Sequence, residues 1–439
     1  MKSLPALALS VLVACGGPGD PGPAAPAAGR DVVVVVIDTL RADRLPTYGY
    51  ERDTAPFLAE LATRGVVFDA AYGASTWTAP STASLFTSLW PRDHGVLTGL
   101  YTFKTVEGLG FDVELNRIPP EAETLPEFFQ GLGYRTYGFA DNPNVDAPMG
   151  FDRGFDHFST GLDRGSPVLR DEVLALRDEL VDAERPYFLY LHLMDPHMPY
   201  EVHDAWVGED PPGSLAELAY DSEIGRVDAV LEELFGALGL DRDAVVLVTS
   251  DHGEEFLDHG GEAHGPTLYD ELLRVPLIVT GADEQGAPLF PAGRDGTPVC
   301  LIDLLPTLRG LMGEPPSPTD RGVDLSPLLL GTGTLPGRLL YPERPMEFVP
   351  EPFEVRGVID GPLKLHVHSR EGLSLFDLRE DPGELRDLVE ERAEASSRLQ
   401  EALEAHLATP PTHARSFAPP FRVDPELQQG LGDLGYTDE

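Results

Sequence analysis

Residues 31–38 read DVVVVVID, in which six apolar side chains precede an aspartate. A second apolar run, AVVLV at 244–248, comes shortly before Asp251. Continuous apolar runs that stop at a polar turn are typical of strands buried in a parallel sheet. In open α/β sheets, ligands bind beyond the carboxyl ends of the strands, so Asp38 and Asp251 are expected to face one crevice. The two runs therefore predict an α/β fold with a site at one edge of its sheet.

The rest of the chain alternates as α/β proteins do. Residues 55–65 have helical apolar spacing and a terminal glycine, which predicts a helix over the first strand. Residues 215–240 predict a long amphipathic helix. Towards the C-terminus, residues 355–369 predict antiparallel strands and residues 384–407 a final helix. The predicted fold class is α/β, with a mixed, mostly parallel sheet between helices and a small C-terminal α+β subdomain.

Four side chains in three separated segments are candidate metal ligands: Asp38, Thr78, Asp251 and His252. Two carboxylates, an imidazole and an alcohol oxygen suit Zn²⁺ or Mn²⁺ best, with Ca²⁺ and Mg²⁺ as alternatives. A threonine hydroxyl is a poor nucleophile at neutral pH, and a divalent cation would lower its pKa. We therefore predict an enzyme that forms a covalent ester at Thr78. Taken alone, Asp38 or Thr78 could instead be an ordinary helix cap.

Five motifs in a shared order resemble the sulfatase family of the alkaline phosphatase superfamily. They are VVVVVIDTLRADRL at 32–45, TAPSTASLFTSLWPRDHGV at 78–96, YLHLMDPHMPY at 190–200, VVLVTSDHGEEF at 245–256 and HGPTLYDELLRVPLIV at 264–279. The resemblance extends from about residue 31 to residue 388. It implies an alkaline-phosphatase-like fold.

The departures from the sulfatase pattern concern the catalytic residues themselves. Thr78 stands where sulfatases carry the cysteine or serine that is oxidised to formylglycine, an aldehyde that threonine cannot become. Thr82 stands at an arginine position of that motif, Thr39 at a usual second aspartate and His252 at a usual asparagine. The family's active-site lysines are missing too. The lysines of this chain are Lys2, Lys104 and Lys364.

The candidate ligands Asp38, Thr78, Asp251 and His252 resemble those of the single-metal, phosphoester-processing relatives, such as lipoteichoic acid synthases and phosphoethanolamine transferases. This resemblance implies one metal ion and a Thr78 nucleophile. It also implies that His197 and His264 contact the anion or protonate the leaving group, since histidine carries an available proton near neutral pH. Asn142 or Asn144 would be extra donors. A second metal stays open, because its ligands could come from Asp195, His197 and His264.

The predicted reaction is hydrolysis or transfer of phosphate mono- or diesters. One alternative is hydrolysis of a sulfate ester without formylglycine, and another is a non-catalytic, lipid-anchored binding protein with this fold. The expected substrate is a small-molecule, lipid-linked or glycan-linked anionic ester. The balance of 32 basic against 74 acidic residues, a net charge of −42, argues against nucleic acid as a partner.

Four other histidines are interpreted structurally. We expect His94 to fix the loop after the nucleophile helix and His192 to be an interior residue of a strand. His366 and His368 are expected on a solvated sheet face, with a metal-binding pair as the alternative. Cys300, within an apolar segment, is predicted to be a buried structural thiol.

The N-terminus reads as an export signal. MKSLPALALSVLVAC has one basic residue and an apolar stretch too short to span a bilayer, and its LVAC ending resembles a bacterial lipobox. Cys15 would be lipidated, so we expect a periplasmic or cell-surface enzyme held to a membrane by acyl chains. The predicted segments are signal peptide 1–15, Gly/Pro/Ala tether 16–29, catalytic domain 30–335, C-terminal subdomain 336–408 and irregular tail 409–439.

Overall fold

The computed structural model of the chain describes residues 25–99, 115–162, 164–181, 185–207, 213–264, 267–346 and 353–419. The signal peptide and the lipidation residue Cys15 lie outside these described residues, as does residue 420 onward. Ala27, in the stretch predicted as a tether, is buried, and its N–H donates to the carbonyl oxygen of Leu311 at 3.0 Å. The packed part of the chain therefore begins before residue 30.

The helices and strands alternate along most of the chain. The helices are α1 (Pro56–Ala62), α2 (Thr78–Thr87), α3 (Pro91–His94), α4 (Leu125–Gly131), α5 (Ser166–Ala175), α6 (Arg177–Val181), α7 (Leu215–Leu238), α8 (Asp270–Leu273), α9 (Leu304–Met312), α10 (Ser326–Leu329) and α11 (Ala393–Ala408). The strands are β1 (Asp31–Ile37), β2 (Val66–Phe68), β3 (Ala71–Tyr72), β4 (Asn116–Arg117), β5 (Arg135–Ala140), β6 (His157–Thr160), β7 (Tyr187–Leu193), β8 (Ala244–Thr249), β9 (Glu255–Phe256), β10 (Glu262–Ala263), β11 (Arg274–Val275), β12 (Leu277–Ala282), β13 (Gly293–Asp295), β14 (Val299–Cys300), β15 (Glu343–Met346), β16 (Phe353–Asp360), β17 (Leu363–His368), β18 (Gly372–Asp377) and β19 (Ser416–Phe417).

The central sheet confirms the predicted fold class. Its strand order is β13-β2-β12-β8-β1-β7-β5-β6. Strands β8, β1, β7, β5 and β6 are parallel, whereas β12 pairs antiparallel with both of its neighbours. The two apolar runs that predicted the fold are adjacent here, with Val34 opposite Leu247. Their carboxyl ends therefore lie side by side.

Helices cover both faces of this sheet, and the side chains of β1 alternate between two apolar cores. Val32, Val34 and Val36 pack with α2, α4 and α9 on one face. Val33, Val35 and Ile37 pack with α1, α5 and α7 on the other. A strand that is apolar on both faces is what a buried parallel sheet requires. Helix α7 begins with a capping box, in which Ser214 and Glu217 each accept from the other's backbone N–H.

The C-terminal segment forms an antiparallel sheet, β15-β16-β17-β18, against which α11 packs. The predicted final helix starts too early, because α11 begins at Ala393 rather than at residue 384. Before it, Glu384 has a left-handed backbone with φ +51°, and the N–H of Leu388 donates to the carbonyl oxygen of Leu375. The chain is thus held against β18 before it can coil into a helix.

The predicted solvated face of β17 is wrong for His366. This side chain is buried, and its Nε2 lies 3.1 Å from the carbonyl oxygen of Leu268, because the subdomain packs on the segment that precedes α8. Cys300 is confirmed as a buried free thiol, whose pKa burial raises to about 12. Within the described segments, no helix has both the length and the apolar character needed to cross a bilayer.

Candidate active site

The polar residues of the site follow four neighbouring strands at their carboxyl ends. Asp38 comes directly after β1, Asp251 follows β8, and Asn142 follows β5. His197 comes after β7, which lies between β1 and β5. Thr78 is the first residue of α2, and the whole of that helix is buried. The topology of a parallel sheet therefore places residues from distant segments at one edge.

Three side chains surround the Nε2 atom of His252. It lies 3.3 Å from Oγ1 of Thr78, 3.7 Å from Oδ1 of Asp38 and 3.6 Å from Oδ2 of Asp251. All four side chains are fully buried. The structure thus brings together the four residues predicted as metal ligands.

The imidazole of His252 is oriented by its own loop. Its Nδ1 lies 2.9 Å from the carbonyl oxygen of Gly253, and because a carbonyl only accepts, Nδ1 carries the proton. Burial, together with the nearby His264, lowers the pKa of His252 to about 3. The ring is therefore neutral, and the lone pair of Nε2 points towards the carboxylates and Thr78. This is the form in which histidine binds a metal.

The two carboxylates have the features of a cation site. Asp38 Oδ1 and Asp251 Oδ2 are buried and have no hydrogen-bond partner within the described structure. Burial and the charge of Asp38 raise the pKa of Asp251. Burial also acts to raise the pKa of Asp38, but the hydrogen bond from His192 and the neighbouring imidazoles together lower it. A divalent cation between them would satisfy both orphan oxygens and relieve their repulsion. The donor set therefore fits a metal ion.

Among the described residues, a single group of three His, Cys, Asp or Glu side chains is close enough to share one cation. This group is Asp38, Asp251 and His252, with ligand atoms within 4.8 Å of one another. Asp195 faces elsewhere, since its Oδ2 accepts from the N–H of Ser166 at 2.7 Å and its Oδ1 lies 3.7 Å from Arg226. Within the described structure, the residues considered for a second metal do not form such a group.

The two candidate asparagines differ in their contacts. Asn142 Nδ2 donates to Asp38 Oδ2 at 2.5 Å and lies 3.4 Å from Thr78 Oγ1. Asn144 donates through its backbone N–H to the side-chain oxygen of Asn142 at 2.8 Å. Its own side-chain oxygen lies so close to Gly99 that a Cβ there would be 2.4 Å away. Asn142 therefore contacts the predicted nucleophile directly, and Asn144 supports Asn142.

His197 and His264 lie beside the metal-ligand group. The ring centroids of His264 and His252 are 5.0 Å apart, and those of His264 and His197 are 4.9 Å apart. His197 is buried, and this burial lowers its pKa. His264 keeps a small exposed fraction, and its Nδ1 lies 3.2 Å from Oε1 of the buried Glu254. The two imidazoles thus form one wall of the site.

Two residues that contact the site were not predicted from the sequence to do so. His192 is interior, as expected, but its Nε2 also lies 3.1 Å from Asp38 Oδ2. Ser81, on α2, donates from its hydroxyl to the backbone carbonyl oxygen of Asp251 at 2.7 Å. The place of His192 near the carboxyl end of an apolar run indicates that it lies near the site, but not that its side chain points towards Asp38.

Thr39, at a position where sulfatases usually carry an aspartate, contacts Asp251 through its backbone. Its backbone is left-handed, with φ +57°, which is rare for a β-branched residue and therefore strained. In this conformation its N–H lies 3.4 Å from Oδ1 of Asp251. Thr39 therefore supports Asp251 through its main chain.

His94 has the structural role that its motif suggested. Its Nδ1 accepts from the N–H of Val96 at 3.0 Å, and its Nε2 lies 3.0 Å from the hydroxyl oxygen of Ser84 on α2. The ring is fully buried. It thus connects the nucleophile helix to the loop that follows α3.

Comparisons with known proteins give a matching family, related sequences and a shared fold. A family model described as Sulfatase matches residues 30–314. The chain is 29% identical to arylsulfatase A of Bos taurus, over 85% of this chain and 86% of that protein. It is 24% identical to the Kdo(2)-lipid A phosphoethanolamine 7''-transferase of Salmonella typhimurium, over 66% of this chain and 53% of that protein. The crystal structure of a phosphonate monoester hydrolase of Agrobacterium radiobacter shares the fold, with a TM-score of 0.67, 18% identity, and coverage of 86% of this chain and 95% of that one.

Proposed function

This chain belongs to the sulfatase family of hydrolases that act on ester bonds, and we propose that within this family it cleaves phosphate mono- or diesters through Thr78. The observation that carries the proposal is the hydroxyl of Thr78, 3.3 Å from His252 Nε2 at the N-terminus of α2. This hydroxyl replaces the residue that sulfatases convert to formylglycine. A threonine ester, rather than an aldehyde hydrate, is then the covalent intermediate.

Sulfatase-family enzymes use a divalent metal, and Asp38, Asp251, His252 and Thr78 would hold it here. Bound there, the cation lowers the pKa of the Thr78 hydroxyl and screens the charge of the anionic ester. The mixed oxygen and nitrogen donors favour Zn²⁺ or Mn²⁺ over Ca²⁺ or Mg²⁺.

Residues of the chain carry out the attack, the proton transfer and the release. Thr78 loses its hydroxyl proton to solvent before the reaction, and its oxygen then attacks the phosphorus. The bond from phosphorus to the leaving alcohol breaks, and a histidine of the wall formed by His197 and His264 gives that alcohol a proton. Water or a second alcohol then attacks the phosphorus and releases Thr78. Asn142, already 3.4 Å from Thr78 Oγ1, is placed to donate to an oxygen of the ester.

Sulfate ester hydrolysis is the second candidate, and the likeness to arylsulfatase A favours it. Against it stands Thr78, because a threonine sulfate has no elimination route and would need direct attack by water at sulfur. The phosphoethanolamine transferase relative supports chemistry at phosphorus. We propose a small-molecule, lipid-linked or glycan-linked ester as substrate, and membrane attachment through a lipid on Cys15.

The decisive experiment compares wild type with Thr78→Ala on 4-nitrophenyl phosphate, bis(4-nitrophenyl) phosphate and 4-nitrophenyl sulfate. Each protein is stripped with chelator and reconstituted with Zn²⁺, Mn²⁺, Ca²⁺ or Mg²⁺. Thr87→Ala is the matched control, because Thr87 is buried on the same helix and its hydroxyl donates only to the backbone carbonyl oxygen of Ala83 among the described contacts.

We expect phosphate ester cleavage that Thr78→Ala abolishes and Thr87→Ala retains. Sulfate release that depends on Thr78 would instead establish the second candidate. Absence of stoichiometric metal together with absence of turnover would indicate a binding protein with this fold.

A further inference from the structure

Glu254 and His264 form a buried carboxylate–imidazole pair at the edge of the site. Oε1 of Glu254 lies 3.2 Å from Nδ1 of His264, and the Glu254 side chain is fully buried. An ionised carboxylate only accepts, so Nδ1 of His264 carries a proton in this contact. Nε2 is then the ring nitrogen of His264 that remains to meet a substrate.

The other histidine of this wall is held differently. Nδ1 of His197 lies 2.5 Å from the carbonyl oxygen of Met198, a neutral acceptor. A carbonyl orients an imidazole without adding charge, whereas a carboxylate also stabilises the positive charge of an imidazolium. The two neighbouring rings are thus backed by different acceptors, and His264 has the one suited to a proton donor.

Glu254 is itself fixed from several sides. Nη1 of Arg41 donates to its backbone carbonyl oxygen at 3.0 Å, and the phenol of Tyr200 lies near its carboxyl group. The N–H of the preceding residue, Gly253, donates to the carbonyl oxygen of Leu272 at 2.8 Å. The carboxylate therefore has a defined position relative to the ring of His264.

We propose that Glu254 is a positioning residue that holds His264 with Nδ1 protonated, so that Nε2–H of His264 delivers the proton to the leaving alcohol. This inference rests on the proposed function. When the bond from phosphorus to the leaving oxygen breaks, that oxygen takes the Nε2 proton and His264 becomes neutral. In the second half-reaction, the attacking water or alcohol returns a proton to Nε2 as the ester to Thr78 breaks.

A leaving-group series tests this role, because a poor leaving group needs the proton and a good one does not. Glu254→Gln keeps the shape but replaces an obligate acceptor by an amide that can also donate, so that the Nδ1–H form of His264 is no longer imposed. Glu255→Gln is the matched control. Glu255 is the next residue, is also buried, and its Oε1 accepts from the N–H groups of His259 and Gly261, away from the site.

The substrates are the aryl phosphate esters that wild type cleaves, from 4-nitrophenyl to unsubstituted phenyl. We expect Glu254→Gln to lower kcat only a few-fold on the 4-nitrophenyl ester and about 100-fold on the phenyl ester, with KM little changed. Glu255→Gln should keep the wild-type ratio between the two esters. An equal loss on both esters, or the same dependence in Glu255→Gln, would overturn the proposal.

A measurement on wild type covers the case in which Glu254→Gln does not fold. Nitrogen-15 histidine NMR should show His264 protonated at Nδ1, and a His264 ring protonated only at Nε2 would overturn the inference. Wild type without activity on any phosphate ester would refute the proposed function while this NMR result still decides the position of the proton. An active wild type with no leaving-group dependence in Glu254→Gln would refute only the role of Glu254.

Discussion

Nε2 of His192 donates to Oδ2 of Asp38 across 3.1 Å, while Nδ1 of His192 lies 2.9 Å from the hydroxyl of Tyr190. Since the carboxylate only accepts, Nε2 carries the proton and Nδ1 accepts from the tyrosine. Asn142 is a second donor to the same Oδ2. One oxygen of Asp38 is thus held by two donors, and its Oδ1 is left for the cation site.

The first prediction concerns this support of Asp38. His192→Phe keeps an aromatic ring in the core but removes the donor, and we expect the affinity for Zn²⁺ or Mn²⁺ to fall about 10- to 100-fold. His192→Gln should recover part of the affinity, because its amide N–H can reach towards Oδ2. Competition with a chromogenic chelator measures the metal affinity of each variant. Equal metal affinity in wild type and His192→Phe would show that the hydrogen bond does not orient Asp38.

The second prediction separates metal binding from folding. Burial and the neighbouring Asp38 raise the pKa of Asp251, so the metal-free protein loses stability as the pH rises through that pKa. Asp251→Asn should therefore stabilise the metal-free protein at pH 8, because the neutral amide removes a buried charge that faces Asp38. The same variant should lose stoichiometric metal.

Urea unfolding with excess chelator, and again with Zn²⁺ or Mn²⁺, checks both parts of this prediction. The order of stability should reverse on adding metal, because only wild type gains from binding. A metal-free Asp251→Asn that is less stable than wild type would mean that the two carboxylates do not repel each other.

The central sheet could be predicted from the sequence, as could the convergence of Asp38, Thr78, Asp251 and His252, because both follow from short-range patterns. An apolar run that ends at an aspartate fixes where a strand stops, and parallel strands bring their carboxyl ends to one edge. The family motifs then supplied the position of Thr78. No comparison assigns a role to any of these residues, so their functions stay predictions.

The features that could not be predicted from the sequence depend on side-chain directions and on contacts between distant segments, which a local pattern does not encode. In a strand apolar on both faces, nothing in the sequence says that His192 turns towards Asp38. His366 is buried because a subdomain distant in sequence packs on Leu268, and α11 starts late because Leu388 pairs with β18. Such contacts between distant segments override local helical or strand spacing.

The third prediction is a pH dependence set by His94. Burial lowers its pKa to about 3, against an ordinary value of 6.5, so the folded protein binds this proton less well than the unfolded chain. The stability that neutral His94 provides is complete above pH 6.5 and is lost as the pH falls towards 3. In His94→Asn, Oδ1 of the asparagine can still accept from the N–H of Val96. We expect this variant to be less stable at pH 7 by about 1–2 kcal/mol and to lose less stability on acidification.

Urea unfolding at intervals between pH 7 and pH 4 gives the free energy of unfolding of wild type and of His94→Asn, and the slopes of the two curves against pH are compared. His157→Asn is the control, because His157 is exposed. Parallel curves for wild type and His94→Asn would show that the buried imidazole does not resist protonation.

The last prediction concerns Lys364, which joins β17 to the segment around α8. Its fully buried Nζ donates to the backbone carbonyl oxygen of Leu268 at 2.9 Å, to Asp270 at 2.6 Å and to Glu384 at 2.8 Å. At pH 9, Lys364→Met would leave two carboxylates facing each other without their cation, and breaking a buried ion pair in this way costs about 3–5 kcal/mol. Arg398→Met is the control, because its ion pair with Asp360 is largely exposed and should contribute less than about 1 kcal/mol.

The response of Lys364→Met to pH distinguishes lost charge pairing from lost packing. Burial and the charge of Asp270 already raise the pKa of Glu384 to about 8 in wild type. Removing the ammonium takes away the main group that opposes this shift and leaves the backbone N–H of Asp270, which donates to Oε2 of Glu384 at 2.6 Å. A group whose folded pKa is raised favours the folded state below its unfolded pKa of 4.5, and this advantage is lost as the pH rises. The cost of Lys364→Met in urea unfolding should therefore be small at pH 5 and grow towards pH 9, and adding Glu384→Gln should flatten this dependence. A cost that is the same at every pH would instead assign the role of Lys364 to the packing of its aliphatic stem.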